Sequence, residues 1–114
     1  MKCLPALCLA FASAISASAM ANGSLLAKVT MVRIDKDGRG MVQFDQAATG
    51  TPPSCVAVDY AKTFAFDSTT AGGKAIMATA LAAKATGNSV FVYGTGACSI
   101  YGNYVEDWSY GESR

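Results

Sequence analysis

Histidine is absent from this chain of 114 residues. The protein therefore has no imidazole to act as a general base or metal ligand, and every Ser-His or Cys-His nucleophile pair is excluded. Charge is also scarce, because Asp, Glu, Lys and Arg make up only 15% of the residues. Over residues 22–114 the positive and negative side chains balance. Such a surface has no field that gathers phosphate backbones or anionic lipids, so we expect no nucleic-acid partner.

The chain has no apolar run long enough to span a bilayer, and its longest such run, near the start, is short. Lys2 precedes an apolar run over residues 3–15, and small residues follow at Ala19 and Ala21. This order is typical of a secretory signal peptide that is cleaved after Ala19 or, as we prefer, after Ala21. The run is too short to span a bilayer comfortably, so we expect no membrane span after cleavage. The sequence predicts a signal peptide at residues 1–21 and a secreted or periplasmic product.

Cysteine is sparse once this leader is set aside. Of the four cysteines, only Cys55 and Cys98 lie in the single domain predicted over residues 22–114. Two thiols that reach an oxidising compartment usually form one disulfide, which predicts a Cys55–Cys98 bond. In the chain-entropy account, closing that loop of about 44 residues stabilises the fold by roughly 4 kcal/mol. Two buried free thiols are the alternative.

Runs rich in β-branched residues predict five short strands. These strands cover residues 28–34, 41–44, 55–58, 89–93 and 104–110. The glycine-containing segment 35–40 predicts a hairpin turn between the first two strands. The prolines of residues 50–53 place that segment outside a sheet interior. Residues 64–66, which precede the helix, are expected to be extended.

An alanine-rich segment predicts one helix over residues 74–85, since alanine costs least to fix in a helix. We expect its N-cap among residues 67–70 and its C-cap at Gly87. Its predicted buried stripe consists of Ile76, Met77, Ala80 and Leu81. The order β-β-β-α-β-β predicts a mainly β fold, a small five-stranded OB-like barrel, with an α+β roll as the alternative.

Three short motifs resemble binding loops but lack the residues that binding requires. The acidic turn at 35–40 begins like an EF-hand loop, but Arg39 and Gln46 stand where calcium ligands are needed. The glycine pair before Lys74 lacks the first glycine and the hydroxyl of a phosphate-binding loop. The Gly-x-Gly of residues 94–96 is too short for a dinucleotide fingerprint. We therefore expect no metal ion and no cofactor.

Two acidic residues are neighbours in the last predicted strand. Because side chains alternate along a strand, Glu106 and Asp107 cannot flank one bond as a glycosidase pair does, and we expect them on a solvated face. The chain otherwise lacks catalytic equipment, so we expect it not to be an enzyme. A small enzyme that relies on Asp35, Asp37 or Glu106 is the less favoured alternative.

Aromatic residues crowd the C-terminal region. Tyr101, Tyr104, Trp108 and Tyr110 form the candidate binding surface, since rings with polar tips stack on sugars and side chains. We expect Tyr104, Trp108 and Tyr110 to share one face of the last strand. The alternative is that this face closes the core against the helix.

Residues 64–110 also carry a resemblance to a known family. Its motifs are Phe-Asp-Ser-Thr-Thr at 66–70, Gly-Lys at 73–74, the Ala/Leu helix, Gly-x-x-Val-x-Val at 87–92 and Gly-Thr-Gly-Ala-Cys at 94–98. They resemble those of small secreted proteobacterial proteins and, through them, the B subunits of subtilase cytotoxin and pertussis-like toxins. The resemblance implies an OB-type barrel, rings of five subunits and binding of sialylated glycans. It transfers no sugar-binding residue, because the short segment 22–27 before the first strand carries no matching motif.

The sequence therefore predicts a secreted or periplasmic, non-catalytic binding module whose ligand is a glycan or a protein. A homo-oligomer, specifically a pentamer, is implied by the resemblance alone. A stand-alone interaction protein that binds no glycan is the alternative.

Overall fold

The computed structural model describes residues 22–114. The predicted signal peptide at residues 1–21, with its cleavage site after Ala21, lies outside the described residues. Within the described part, no helix combines the length and the apolar character that crossing a bilayer requires.

Six strands and one α-helix make up the fold of residues 22–114. The strands are β1 (Gly23–Ile34), β2 (Arg39–Phe44), β3 (Thr49–Gly50), β4 (Thr63–Asp67), β5 (Ser89–Gly94) and β6 (Glu106–Ser113). The α-helix, α1, spans Ala71–Thr86, and a single 3-10 turn spans Val58–Tyr60.

Five of the strands close into a ring, in the order β1-β2-β4-β6-β5 and back to β1. The pairing of β4 with β6 is parallel, and the other ring pairings are antiparallel. Strand β1 pairs with two strands of the ring: its residues 24–28 pair with β5, and its residues 29–34 pair with β2. A register shift between Val29 and Met31 separates the two halves, and such irregularities bend a strand. The prediction of a mainly β fold of five principal strands, with one helix between the third and fourth of them, is confirmed.

The third ring strand is not where the sequence places it. Cys55 ends a turn, residues 56–57 are irregular, and Val58, which is 89% exposed, begins the 3-10 helix. The ring strand is β4, where Phe64, Ala65 and Phe66 are each at most 1% exposed because both faces of the strand are covered. The predicted strand at 55–58 is therefore wrong. Its apolar side chains lie in a loop, while the continuous apolar run of β4 fits a strand buried on both sides.

Helix α1 has the predicted caps. The Thr70 side chain accepts a hydrogen bond from the backbone N–H of Gly73 at 2.9 Å, and Gly87 ends the helix with a φ of 76°. The first turn lies close to the sheet, since a Cβ at Gly73 would overlap the carbonyl group of Asp67. The helix begins at Ala71, before the predicted start at residue 74.

The buried face of α1 differs from the prediction at one position. Ala80 and Ala83 are buried and Ile76 and Met77 are partly buried, whereas Leu81 is 49% exposed. Small side chains allow the helix axis to approach β1 and β4, and Leu81 lies about a quarter turn away from Ala80 on the solvent side.

The predicted disulfide is confirmed. Cys55 and Cys98 are bonded with a Cα–Cα distance of 6.1 Å, within the usual range. The bond joins the loop before the 3-10 helix to the loop between β5 and β6.

Two apolar clusters hold the fold together. The main cluster fills the ring beneath α1 and includes Phe44, Phe64, Phe66, Val90, Val92 and Trp108. A second cluster lies on the opposite side of β2 and β4, where Met41 and Ala65 contact Tyr101 and Val105 of the β5–β6 loop. This loop therefore acts as a cover for the outer face of the ring.

Candidate functional site

The four aromatic residues predicted as a binding surface occupy different environments. Tyr101 and Trp108 are each only 6% exposed, Tyr101 in the second cluster and Trp108 in the main core. Tyr104 is partly buried, with its ring centroid 5.0 Å from that of Tyr60 and 5.8 Å from that of Tyr101. Tyr110 is 57% exposed. Of the four, Tyr110 is the side chain that is open to a partner.

A register irregularity explains why the aromatics of β6 separate. Trp108 lies opposite Gly94 and Tyr110 lies opposite Tyr93, so β6 has one more residue than β5 between these pairs. An extra residue reverses the alternation of side chains, which sends Trp108 inward and Tyr110 outward. Tyr104 precedes the strand altogether. The prediction of one shared face is therefore wrong, and the core interpretation is correct for Trp108.

Tyr110 instead belongs to an aromatic patch on the outside of β1, β5 and β6. Its ring stacks on that of Tyr93, with centroids 5.3 Å apart and planes 8° apart. Phe91 points to the same side two residues before Tyr93, and Leu26 lies directly opposite Phe91 on β1. The guanidinium of Arg114 lies 5.0 Å from the Phe91 ring centroid. We call Leu26, Phe91, Tyr93 and Tyr110 the outer patch.

The sequence reasoning missed three of these residues. Residues 89–93 look apolar on both faces, which predicts a central strand and hides the outward positions of Phe91 and Tyr93. The available signal is the pattern of side chains: valines alternate with aromatic rings, and it is the valines that are buried.

A cleft of about 230 Å³ adjoins the outer patch, between α1 and β6. Its lining comprises Gly72, Ala75, Ile76 and Thr79 of the helix and residues 108–111 of the strand. None of these side chains is charged, and hydroxyl groups come from Thr79, Ser109 and Tyr110. Clefts that hold drug-sized ligands are usually about 300–1,000 Å³, so this one suits a single ring or side chain.

Gly111 shapes the strand side of this cleft. A Cβ at position 111 would lie 2.5 Å from the carbonyl oxygen of Phe91 and 2.7 Å from the nearest indole atom of Trp108. Both contacts are shorter than ordinary van der Waals contact. The absence of a side chain at Gly111 therefore lets the indole ring pack against the backbone of β6.

Glu106 and Asp107 are buried, at 2% and 6% exposure, so the predicted solvated face is wrong. Glu106 accepts hydrogen bonds from the backbone N–H of Gly23, at 3.1 Å to each carboxylate oxygen, and of Gly96 at 3.0 Å. Burial raises the pKa of Glu106, although these N–H groups act in the opposite direction. The two side chains do alternate, but the start of β1 and the β5–β6 loop cover both sides of the strand.

Asp107 organises the loop that carries Cys98. Its carboxylate accepts hydrogen bonds from the backbone N–H and hydroxyl of Ser99 and from the backbone N–H of Ile100 at 3.1 Å. Its backbone pairs with Thr95 and Ala97. Asp107 is therefore a structural residue that holds the β5–β6 loop in place.

The acidic residues of the β1–β2 turn are ion-paired. Asp35 lies 2.8 Å from Arg33 and accepts a hydrogen bond from the Tyr101 hydroxyl at 2.6 Å. That hydroxyl, and then the arginine, lower the pKa of Asp35. Burial, and then the hydrogen bond to Asp35, raise the pKa of Tyr101. Asp37 pairs with Arg39 at 2.7 Å, and the Arg39 guanidinium lies 4.9 Å from the Tyr101 ring centroid.

The three carboxylates of the enzyme alternative therefore lie in separate networks. Asp35 and Asp37 engage arginines beside the turn, whereas Glu106 engages backbone N–H groups at the start of β1. No shared hydrogen bond brings any two of them together as an acid and a base. Among residues 22–114, no three acidic or cysteine side chains converge on a position where they could hold a metal ion.

Comparisons with protein-family models, curated proteins and solved structures found no match to this chain. The outer patch and the adjacent cleft, which share Tyr110, are the surface that the structure offers to a ligand.

Proposed function

We propose that residues 22–114 form a secreted or periplasmic, non-catalytic binding module. The observation that carries this proposal is the position of Tyr110. Its ring is exposed and stacks on that of Tyr93, and Tyr110 is also one of the residues that line the cleft between α1 and β6. Aromatic rings with polar tips are favoured at binding surfaces, because they supply contact area and a hydrogen-bonding group together.

The chemistry of the cleft favours an uncharged sugar ring as the ligand. A pyranose presents C–H groups to an aromatic face and hydroxyls around its edge. Tyr110 supplies an exposed ring beside the cleft, and Thr79 and Ser109 are among the residues that line it. The Thr79 hydroxyl donates to the Ala75 carbonyl oxygen at 2.9 Å, so toward a sugar it would act as an acceptor. The absence of lining charge disfavours a ligand whose recognised group is a phosphate or an ammonium. A protein ligand would insert one apolar side chain into the same space.

The disulfide supports the proposed export. A Cys55–Cys98 bond persists in oxidising compartments, where secreted and periplasmic proteins reside. It ties together two loops outside the ring and leaves the cleft between α1 and β6 untouched. The bond therefore fits a scaffold that stabilises a binding surface elsewhere.

The resemblance to toxin B subunits extends the proposal to self-association. A subunit of that kind is a homo-oligomer, with five copies in a ring. Native mass spectrometry of the purified, processed protein tests this part separately. A pentamer supports the B-subunit-like role, whereas a strict monomer leaves a stand-alone binding module.

A glycan array probed with the exported protein tests the binding role, followed by an array of immobilised peptides. We expect the natural chain to bind, and we expect Tyr110→Ala to lose that binding. Leu81→Ala is the matched control, since Leu81 is an exposed apolar residue outside the cleft lining. Retained binding in Tyr110→Ala, or no ligand on either array, contradicts the proposal.

A further inference from the structure

Glu106 is a buried carboxylate with no cationic partner among residues 22–114. It is 2% exposed, and none of the ion pairs in this part of the chain includes it. Its partners are the backbone N–H groups of Gly23 and Gly96. Burying an ionised carboxylate without a counter-ion is costly. Within residues 22–114, the Glu106 carboxylate therefore lacks the positive charge that would offset this cost.

The space around this carboxylate depends on two glycines. A Cβ at Gly23 would lie 2.5 Å from one carboxylate oxygen of Glu106, and a Cβ at Gly94 would overlap the other. The start of β1 and the end of β5 therefore approach Glu106 as bare backbone. These close approaches leave room for the Glu106 carboxylate, and the junction lies at the first residues of the predicted mature chain.

Asn22 is anchored beside the same carboxylate. Its carbonyl oxygen accepts a hydrogen bond from the Thr51 N–H at 2.9 Å, and its side-chain amide donates to the Gly94 carbonyl oxygen at 2.9 Å. The next nitrogen along the chain, that of Gly23, donates to Glu106. Because one residue spans at most about 3.6 Å, the backbone nitrogen of Asn22 lies within about 7 Å of the carboxylate.

We propose that cleavage after Ala21 creates an α-ammonium group on Asn22, which becomes the counter-ion of the buried Glu106 carboxylate. The proposal rests on the predicted signal-peptide cleavage, but not on ligand binding. Hydrolysis of the Ala21–Asn22 bond consumes one water and leaves a carboxylate on Ala21 and an ammonium on Asn22. In the uncleaved chain the same nitrogen is an uncharged amide. Processing therefore completes the charge pair and strengthens the junction of β1, β5 and β6.

The pair has a characteristic dependence on pH. It requires an ionised Glu106 and a protonated α-amino group, whose ordinary pKa is about 8. Glu106 is surrounded by backbone and apolar groups, which come from the start of β1, the end of β5, β4 and residue 96. Its titratable neighbour within residues 22–114 is Asp107. The stabilisation is therefore present between the two pKa values. It is lost when Glu106 is protonated in acid and when the ammonium is deprotonated in base.

The test compares two exported proteins that differ in where the ammonium lies. One is the natural chain, and the other carries Gly-Ser inserted between Ala21 and Asn22, which moves the ammonium by about 7 Å. Mass spectrometry confirms each N-terminus, and urea unfolding is measured at about pH 7 and about pH 9.5. Each protein is also prepared with Glu106→Gln. A 13C carboxyl titration of Glu106 provides a second readout that does not require the substituted proteins to fold.

At about pH 7 we expect the insertion to raise the unfolding equilibrium constant roughly tenfold, equivalent to about one pKa unit. This difference in stability between the two proteins should shrink at about pH 9.5 and disappear when both carry Glu106→Gln. The pKa of Glu106 should be lower in the natural chain than in the insertion variant. Equal stabilities and equal Glu106 pKa values overturn the proposal, as does a difference that persists at high pH. Natural cleavage after Ala19 also overturns it, and each of these results leaves the binding-module proposal untouched.

Discussion

Tyr93 and Tyr110 face each other across β5 and β6, with ring centroids 5.3 Å apart and planes only 8° apart. The stack holds an exposed ring in one orientation beside the cleft. Because fewer rotamers need to be fixed on binding, a preorganised ring loses less conformational entropy to a ligand. The pair therefore links the stability of the outer patch to its proposed use.

The stack itself should be measurable as a coupling energy. We expect Tyr93→Ala and Tyr110→Ala to show a coupling of about 0.5–1.5 kcal/mol in a double-mutant cycle, the usual value for aromatic pairs. Urea unfolding of the natural, single and double variants gives this value. Leu81→Ala combined with Tyr110→Ala should be additive. Additivity of the two tyrosine substitutions would show that the rings do not stabilise each other.

The two glycines at the start of α1 should respond differently to alanine. A Cβ at Gly73 would overlap the carbonyl group of Asp67, whereas a Cβ at Gly72 meets nothing within 4 Å. We expect Gly73→Ala to lower the free energy of unfolding by about 1–3 kcal/mol. Gly72→Ala should be neutral or stabilising by up to about 1 kcal/mol, since alanine favours the helix. Thermal unfolding of both variants checks this, and equal effects would contradict the close approach of the helix to the sheet.

Removal of the disulfide should destabilise the fold substantially. The bond joins positions 43 residues apart, and loss of such a bond from a small secreted domain typically costs about 2–5 kcal/mol. Cys55→Ser with Cys98→Ser should lower the free energy of unfolding by an amount in this range. Thiol titration of the denatured, processed protein, which lacks Cys3 and Cys8 and is prepared without reductant, should detect no reactive thiol. Two thiols per molecule would contradict both the bond and the proposed export.

The contact between Tyr101 and Asp35 should make stability depend on pH in acid. The Tyr101 hydroxyl, followed by Arg33, lowers the pKa of Asp35. Such a carboxylate contributes stability above its unfolded pKa, near 4, and loses it as the pH falls through the folded value. Tyr101→Phe should therefore lower the melting temperature at neutral pH, by an amount that shrinks in acid. A loss that is independent of pH would assign the effect to packing of the ring instead.

Local chemistry allowed the sequence to predict the helix and its two caps, although the helix begins three residues before the predicted start. The Thr70 cap, the Gly87 cap and the alanine-rich interior each depend on residues within a few positions of one another. The hairpin turn at residues 35–40 is equally local. The disulfide could be predicted because Cys55 and Cys98 are the two cysteines of residues 22–114, the domain that follows the predicted signal peptide.

The wrong predictions concern contacts between distant parts of the chain. Glu106 looks like a surface acid, but it is covered by Gly23, which lies 83 residues earlier. Trp108 and Tyr110 separate because of a pairing irregularity against β5, which composition does not reveal. The predicted buried stripe of the helix wrongly included Leu81, which is 49% exposed. The small residue Ala83 is buried instead, because it permits close packing of the helix on the sheet.

The central claim, that the cleft beside Tyr110 binds a ligand, is tested most directly by NMR. Neutral sugars from the array hits are titrated into 15N-labelled processed protein. The account predicts saturable shifts centred on the amides of Thr79, Ser109 and Gly111, and their loss in Tyr110→Ala. Saturable shifts centred instead on the β1–β2 turn or on Val58, with the cleft amides unchanged, would contradict it.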